Sequence, residues 1–175
     1  MSKRRKNILG EDFFRENALS IAPSLLGCEI FRRFDDGAVK NFMITEVEAY
    51  GGEEDLACHA SKGRTKRTST MYQSGGHVYV YLIYGMHWML NIVTAEEGSP
   101  QAVLIRGLVG CNGPGRLTKL LKIDGSLNGS HLDELDDFWI EKAQQKIKYN
   151  AGPRIGVDYA GDYWSNVPWR FWIEP

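Results

Sequence analysis

Glu46 and Glu48 stand two residues apart in the segment Phe42-Met-Ile-Thr-Glu-Val-Glu-Ala-Tyr50. Alternate side chains of an extended strand share a face. Phe42, Ile44, Glu46, Glu48 and Tyr50 therefore fall on one side, with Met43, Thr45, Val47 and Ala49 on the other. Acids on a mostly apolar strand are costly to bury unless they are paired or hydrogen-bonded. One reading makes them salt-bridged or edge-exposed acids. The other makes one of them a general base with a raised pKa, held beside Tyr50.

A second group is aromatic and basic. No Asp or Glu occurs from Leu56 to Ala95, whereas Lys62, Arg64, Lys66 and Arg67 all fall there, along with Tyr72, Tyr79, Tyr81 and Tyr84. Tyrosines in such a stretch suit base stacking, though tyrosine is also an ordinary strand residue. Tyr84-Gly85 at the head of a hairpin would expose an aromatic wedge of the kind that inserts between base steps. Asn91, on an apolar strand, must satisfy its amide in the core or against a ligand. Arg106, after Val103-Leu-Ile, needs a carboxylate, a phosphate or solvent. His59, His77, His87 and His131 lack ligand-like spacing, so no metal is expected. No GxSxG, P-loop or dinucleotide fingerprint stands in its required context.

These residues need elements to carry them. Residues 11–26 read as one or two short helices interrupted by Pro23, with Gly27 as a stop. Strands at 28–34 and 39–50 flank the turn signal Asp35-Asp36-Gly37. Residues 51–69 are polar and irregular, a length of loop that tends to be functional or disordered. Strands follow at 77–84, 87–94 and 102–108, then a short helix at 116–121 after Gly113-Pro-Gly115. Shorter strands are expected at 138–141, 154–157 and 169–173. The pattern predicts one α+β domain over residues 1–175: a curved, largely antiparallel β-sheet, few short helices and a protruding β-hairpin.

In this order and spacing the motifs resemble the alkyladenine (3-methyladenine, methylpurine) DNA glycosylase family. The resemblance rests on Glu46-Val-Glu-Ala-Tyr50, His59, Gly63-Arg-Thr65, Val78-Tyr-Val-Tyr-Leu-Ile-Tyr-Gly-Met86, Asn91, Val103-Leu-Ile-Arg106, Gly113-Pro-Gly-Arg-Leu117, Pro153-Arg-Ile-Gly-Val157 and Tyr159-Ala-Gly161. It implies that Glu48 activates water, helped by Arg106 and the backbone carbonyl of Ile155. It implies that Tyr50, His59 and Tyr81 sandwich an extruded base, that Asn91 discriminates against guanine, and that Tyr84 fills the gap in the duplex. The implied partner is double-stranded DNA containing damaged purines, with Lys62, Arg64, Lys66 and Arg67 at the backbone. The implied reaction is hydrolysis of the N-glycosidic bond without strand cleavage and without a cofactor. Two departures stand out: Thr68 follows Arg67 where better-known members carry Asn, and Gly51-Gly52 predicts a looser segment after Tyr50.

Two other readings use the same residues. A lesion-binding module would use the aromatic hairpin and basic loop without chemistry. A small-molecule N-glycoside hydrolase would use Glu46 and Glu48 as a pair, roughly 6–7 Å apart on one strand face. Composition fits a globular protein: 175 residues, 43% hydrophobic and 25% charged. Cys28, Cys58 and Cys111 suggest three reduced thiols rather than a disulfide framework. No run is apolar for long enough to span a bilayer, and the start Met1-Ser-Lys-Arg-Arg-Lys6 carries no signal-peptide core. The expectation is a cytoplasmic, nucleoid-associated monomer. The net charge of −1 leaves DNA attraction to the local basic stretch rather than to the whole molecule.

Overall fold

The computed structural model describes residues 7–174, so the charged start of the chain lies outside the described residues. Strands β1 (Glu29–Arg33), β2 (Val39–Tyr50), β3 (Val78–Ile83), β4 (His87–Thr94), β5 (Gln101–Leu108) and β7 (Phe138–Glu141) form one sheet in the order β3-β4-β5-β2-β1-β7. Strand β6 (Cys111–Asn112) pairs with β5, β9 (Arg170–Trp172) with the far half of β2, and β8 (Asn150–Gly152) with β9. Every pairing is antiparallel. The α+β fold class and the projecting hairpin agree with the sequence reading.

Helices α1 (Glu11–Phe14), α2 (Ala18–Leu25), α3 (Pro114–Leu120) and α4 (Gly161–Asn166) are short. In α2, Asn17 caps the first turn through Ser20 N, and Ala18, Ile21, Ala22 and Leu25 recur at helical spacing on the buried side. Pro23 lies inside α2 and does not interrupt it. The expected helix at 116–121 begins earlier, because Pro114 supplies a first-turn residue whose missing N–H costs nothing there. No strand forms at 154–157. The strand is β8, and residues 153–157 leave it as a turn that enters the site described below.

The main core lies on one face of the sheet, where Val47 and Ala49 of β2, Val78 and Val80 of β3, Leu90 and Ile92 of β4, and Val103 and Ile105 of β5 meet α2 and α3. Phe42 and Ile44 also pack into this core, not with Glu48 as strict alternation predicts. The register against β5 slips between Ile44 and Glu46 and again between Glu46 and Val47. An extra residue reverses the alternation and bends the strand. The same β2 thus feeds the core at its start and turns Glu46, Glu48 and Tyr50 to the other face at its end.

Candidate active site

The sheet face opposite the core carries a cross-strand row. Tyr79 stands opposite Asn91, Asn91 opposite Leu104, Leu104 opposite Glu48, and Glu48 opposite Arg170. Tyr81 pairs with Met89 one step towards the hairpin tip. Over this face opens a cleft of about 1010 Å³ whose walls include Tyr50, His59, Tyr81, Asn91, Arg106 and Ile155. Residues from six separate stretches of the sequence converge here: four neighbouring strands hold Tyr50, Tyr81, Asn91 and Arg106 in register, and the segments at His59 and Ile155 close over them.

Glu48 lies at the base of this face and is 0% exposed. Its Oε2 accepts a 2.7 Å hydrogen bond from the Tyr50 hydroxyl, and its Oε1 accepts one of 2.7 Å from the Ile155 backbone N–H. Burial pushes its pKa above the ordinary value of 4.5; Arg106, the Ile155 N–H, Tyr50 and Arg154 pull the other way without cancelling that effect. The Tyr50 hydroxyl is pushed well above 10 by burial and then by the neighbouring Glu48 charge, so it stays a neutral donor. The resemblance assigns the Ile155 carbonyl to the attacking water. What the turn presents to Glu48 itself is the Ile155 N–H.

Arg106 reaches both acids of β2. Its Nε donates to Glu46 Oε1 at 3.3 Å and stands 3.5 Å from Glu48 Oε1. Arg170 takes the same Glu46 oxygen at 3.1 Å. Glu46 is therefore a partner of two arginines and not a free second carboxylate, which removes the basis for a two-carboxylate hydrolase.

Tyr50 is backed by a buried ion pair that sequence reasoning missed. Arg154 donates to Asp55 Oδ2 at 2.6 Å and to Oδ1 at 2.9 Å, and also to the carbonyls of Ala49 and Trp164. Its guanidinium lies 4.8 Å from the Tyr50 ring centre and 5.1 Å from that of Trp169. Asp55 also accepts from Gly51 N. A Cβ at Gly51 would come within 2.9 Å of the Trp169 ring. The Gly51-Gly52 segment is thus pinned, and its glycine serves close packing rather than looseness.

His59 opens a 3-10 turn over His59–Lys62. Its Nδ1 lies 3.1 Å from the Tyr79 hydroxyl and its ring centre 4.5 Å from that of Tyr81. Burial, then Arg67 and Lys62, lower its pKa to about 4, so the imidazole is neutral at pH 7. Asn91, buried, gives its NH₂ to the carbonyls of Tyr79 at 3.1 Å and Met89 at 3.5 Å. That commits one end of the amide and fixes its orientation.

At the hairpin tip, Tyr84 and Gly85 both have positive φ, 52° and 66°. Tyr84 is 85% exposed and stands at the rim of the cleft. Leu56, Ile155 and Tyr159 add exposed apolar surface to the rim, and the Tyr159 hydroxyl is tied to Ala57 O at 2.8 Å. Lys62, Arg64, Lys66 and Arg67 are all exposed, and Lys62 and Arg67 reach the cleft wall. Arg64 lies over Tyr72 and Arg67 over Tyr81. Thr68 is buried and accepts from Thr65 N at 2.8 Å while donating to Gly63 O at 3.1 Å. It closes the basic loop on itself, so the departure at this position keeps the loop's backbone satisfied. None of the later acids Asp133, Glu134, Asp136, Asp137 and Glu141 lines the cleft, and Asp137 is paired with Arg32.

The sequence pattern of the family described as Methylpurine-DNA glycosylase (MPG) matches residues 12–110 and 109–175. Among similar proteins, one from Methanocella arvoryzae is 40% identical over 94% of this chain and 92% of its own length. One from Legionella pneumophila is 42% identical over 95% and 94%, and one from Bacillus subtilis 38% identical over 97% and 95%. Each carries the name 3-methyladenine DNA glycosylase. Agreement at this level across nearly the whole length places the chain in the methylpurine-DNA glycosylase family, a family of DNA-repair glycosylases.

Proposed function

We propose that this protein removes alkylated or deaminated purines, 3-methyladenine among them, from duplex DNA by hydrolysis, with Glu48 as the base that activates water. The observation that carries this reading is a fully buried carboxylate with a raised pKa beneath an aromatic cleft, held by Tyr50 and the Ile155 N–H. A carboxylate with a raised pKa is, when ionised, a stronger proton acceptor than an exposed one.

The damaged nucleotide leaves the duplex at a cost of about a few kcal/mol, least where pairing is already weak. Tyr84 takes its place in the stack, and the freed base enters between Tyr50, His59 and Tyr81. Stacking there returns roughly 1–3 kcal/mol per aromatic contact. The glycosidic bond breaks with its electron pair leaving on the base, through an oxocarbenium-like state that the Glu48 carboxylate stabilises. Water adds to the sugar carbon from the edge where Arg106 faces Glu48 Oε1, and its proton passes to Glu48. A cationic alkylated purine leaves as the neutral base and Glu48 returns its proton to solvent, whereas a neutral deaminated purine takes up one proton as it leaves; the products are a free base and an abasic site.

Cationic purines are favoured by electron-rich ring faces, but Arg154 and Arg67 already lie 4.8 and 5.3 Å from the Tyr50 and Tyr81 ring centres. They draw on the same π density, so the preference for charged over neutral lesions is smaller than bare tyrosines would give. Asn91, with its orientation fixed, stands where it meets the edge of the base and selects against guanine. The test is incubation with methylated duplex, chromatography of released bases, and a gel for strand integrity. Free 3-methyladenine over an unbroken abasic strand is expected. Binding to the damaged duplex without release would make the protein a recognition module, and a borohydride-trapped adduct would replace water with an amine nucleophile.

A further inference from the structure

Arg106 offers Glu48 less than its position suggests. A guanidinium Nε carries one hydrogen, and here that hydrogen goes to Glu46 Oε1 at 3.3 Å, while Glu48 Oε1, at 3.5 Å, receives charge but no hydrogen bond. Glu46 is in turn anchored. Arg170 donates to the same Oε1 at 3.1 Å, donates through its Nε to Pro153 O at 3.0 Å, and lies 4.2 Å from the Trp172 ring centre. The side chains of Glu46, Arg106 and Arg170 are 20%, 14% and 24% exposed, so solvent screens this chain of charges only in part.

We propose that Glu46 is a positioning residue for the base: anchored by Arg170, it holds the Arg106 Nε–H away from Glu48 and so preserves the proton affinity of that carboxylate. The other groups facing Glu48 are Tyr50 on its own strand, Tyr81 on β3, Arg154, Tyr159 and the Ile155 N–H from the 153–159 segment, and Arg170 as its cross-strand neighbour on β9. Among the described residues Glu46 pairs with Arg106 and Arg170, and of these two only Arg106 is also paired with Glu48, so loss of Glu46 acts on Glu48 through Arg106. Without Glu46, the Nε–H turns to Glu48, stabilises its ionised form and weakens it as a base.

This inference rests on Glu48 being the base, but its test needs no turnover. The carboxyl carbons of 13C-labelled glutamates are followed by NMR through a pH titration, with Glu48 assigned by its loss in Glu48→Gln. In Glu46→Leu, which removes the acceptor along with the charge, Glu48 is expected to titrate about one pH unit lower, the small end of a close guanidinium's effect on a carboxylate. In an Arg106→Met background the same substitution is expected to produce no shift. Arg170→Met, which frees Glu46 to hold Arg106 more tightly, is expected to move Glu48 upwards. An unmoved Glu48 in Glu46→Leu, an equal shift with and without Arg106, or a fall in Arg170→Met overturns the proposal. Absence of base release by the wild type would refute the catalytic reading and leave the titration result as it stands.

Discussion

Asp55→Asn is the substitution whose cost the structure sets most sharply. The Arg154 and Asp55 side chains are 0% and 1% exposed and make two hydrogen bonds of 2.6 and 2.9 Å. Asparagine keeps the shape and one acceptor but leaves a buried cation between Tyr50 and Trp169. The remaining partners of Arg154 are the Ala49 and Trp164 carbonyls, and its Nε has no hydrogen-bond partner among the described residues. Removing one member of a buried pair costs about 3–5 kcal/mol, which for a domain of this length lowers Tm by about 6–20 °C. Replacing both partners with apolar residues of similar volume is often near neutral, so Asp55→Leu with Arg154→Met is expected to recover most of the loss. That pair still lacks the backing of Tyr50 and is expected to release base poorly. Thermal unfolding at pH 7 of the wild type, the single and the double variant measures this. A single variant within about 1 kcal/mol of wild type, the range of an exposed ion pair, would refute the claim that this buried charge organises the pocket.

Glu48→Gln bears on stability as well as on chemistry. The folded pKa of Glu48 is raised, so its ionisation opposes folding: stability is fully present below the unfolded pKa and is lost as pH rises through the folded one. The Tm advantage of Glu48→Gln over wild type is expected to grow from pH 4 to pH 7, and a constant difference across that range would argue against a raised pKa. Tyr84→Gly relieves a positive φ of 52°, which costs a non-glycine residue roughly 1–2 kcal/mol; melting is expected to hold or improve while base release falls about tenfold, since roughly 1–3 kcal/mol of stacking is lost. Undiminished release would remove Tyr84 from the mechanism. Replacing Lys62, Arg64, Lys66 and Arg67 with Ala is expected to flatten the dependence of log binding constant on log salt by about 3–4, near 0.9 per phosphate contact. An unchanged slope would place the DNA elsewhere.

Much of the site was legible because a strand's period of two is strict over short runs. Tyr79 with Tyr81, and Glu48 with Tyr50, share faces as alternation requires, and the break at Gly85 placed Tyr84 at a turn. Alternation failed at Phe42 and Ile44, where the irregularity around Thr45 moves side chains to the other face, and nothing in local composition marks a bulge. The Arg154–Asp55 pair joins residues 99 apart in sequence, a contact that periodicity does not encode. The apolar look of Arg154-Ile-Gly-Val157 suggested a strand, but the backbone there is spent on a turn that hands the Ile155 N–H to Glu48. An Asp three residues after a Gly pair, with Arg and Trp downstream, was the available signal for this pair, and it is too common a combination to read without the fold.

Single-turnover release of free base from methylated duplex, wild type against Glu48→Gln with binding measured in parallel, tests the central claim most directly. Glutamine keeps an acceptor for the Ile155 N–H and can pair with the Tyr50 hydroxyl, so the pocket and its affinity for damaged duplex are expected to persist. The wild type is expected to release base, and Glu48→Gln to bind equally well but release it at least about a hundredfold more slowly, the lower bound for losing a general base. Release by Glu48→Gln at the wild-type rate would contradict it.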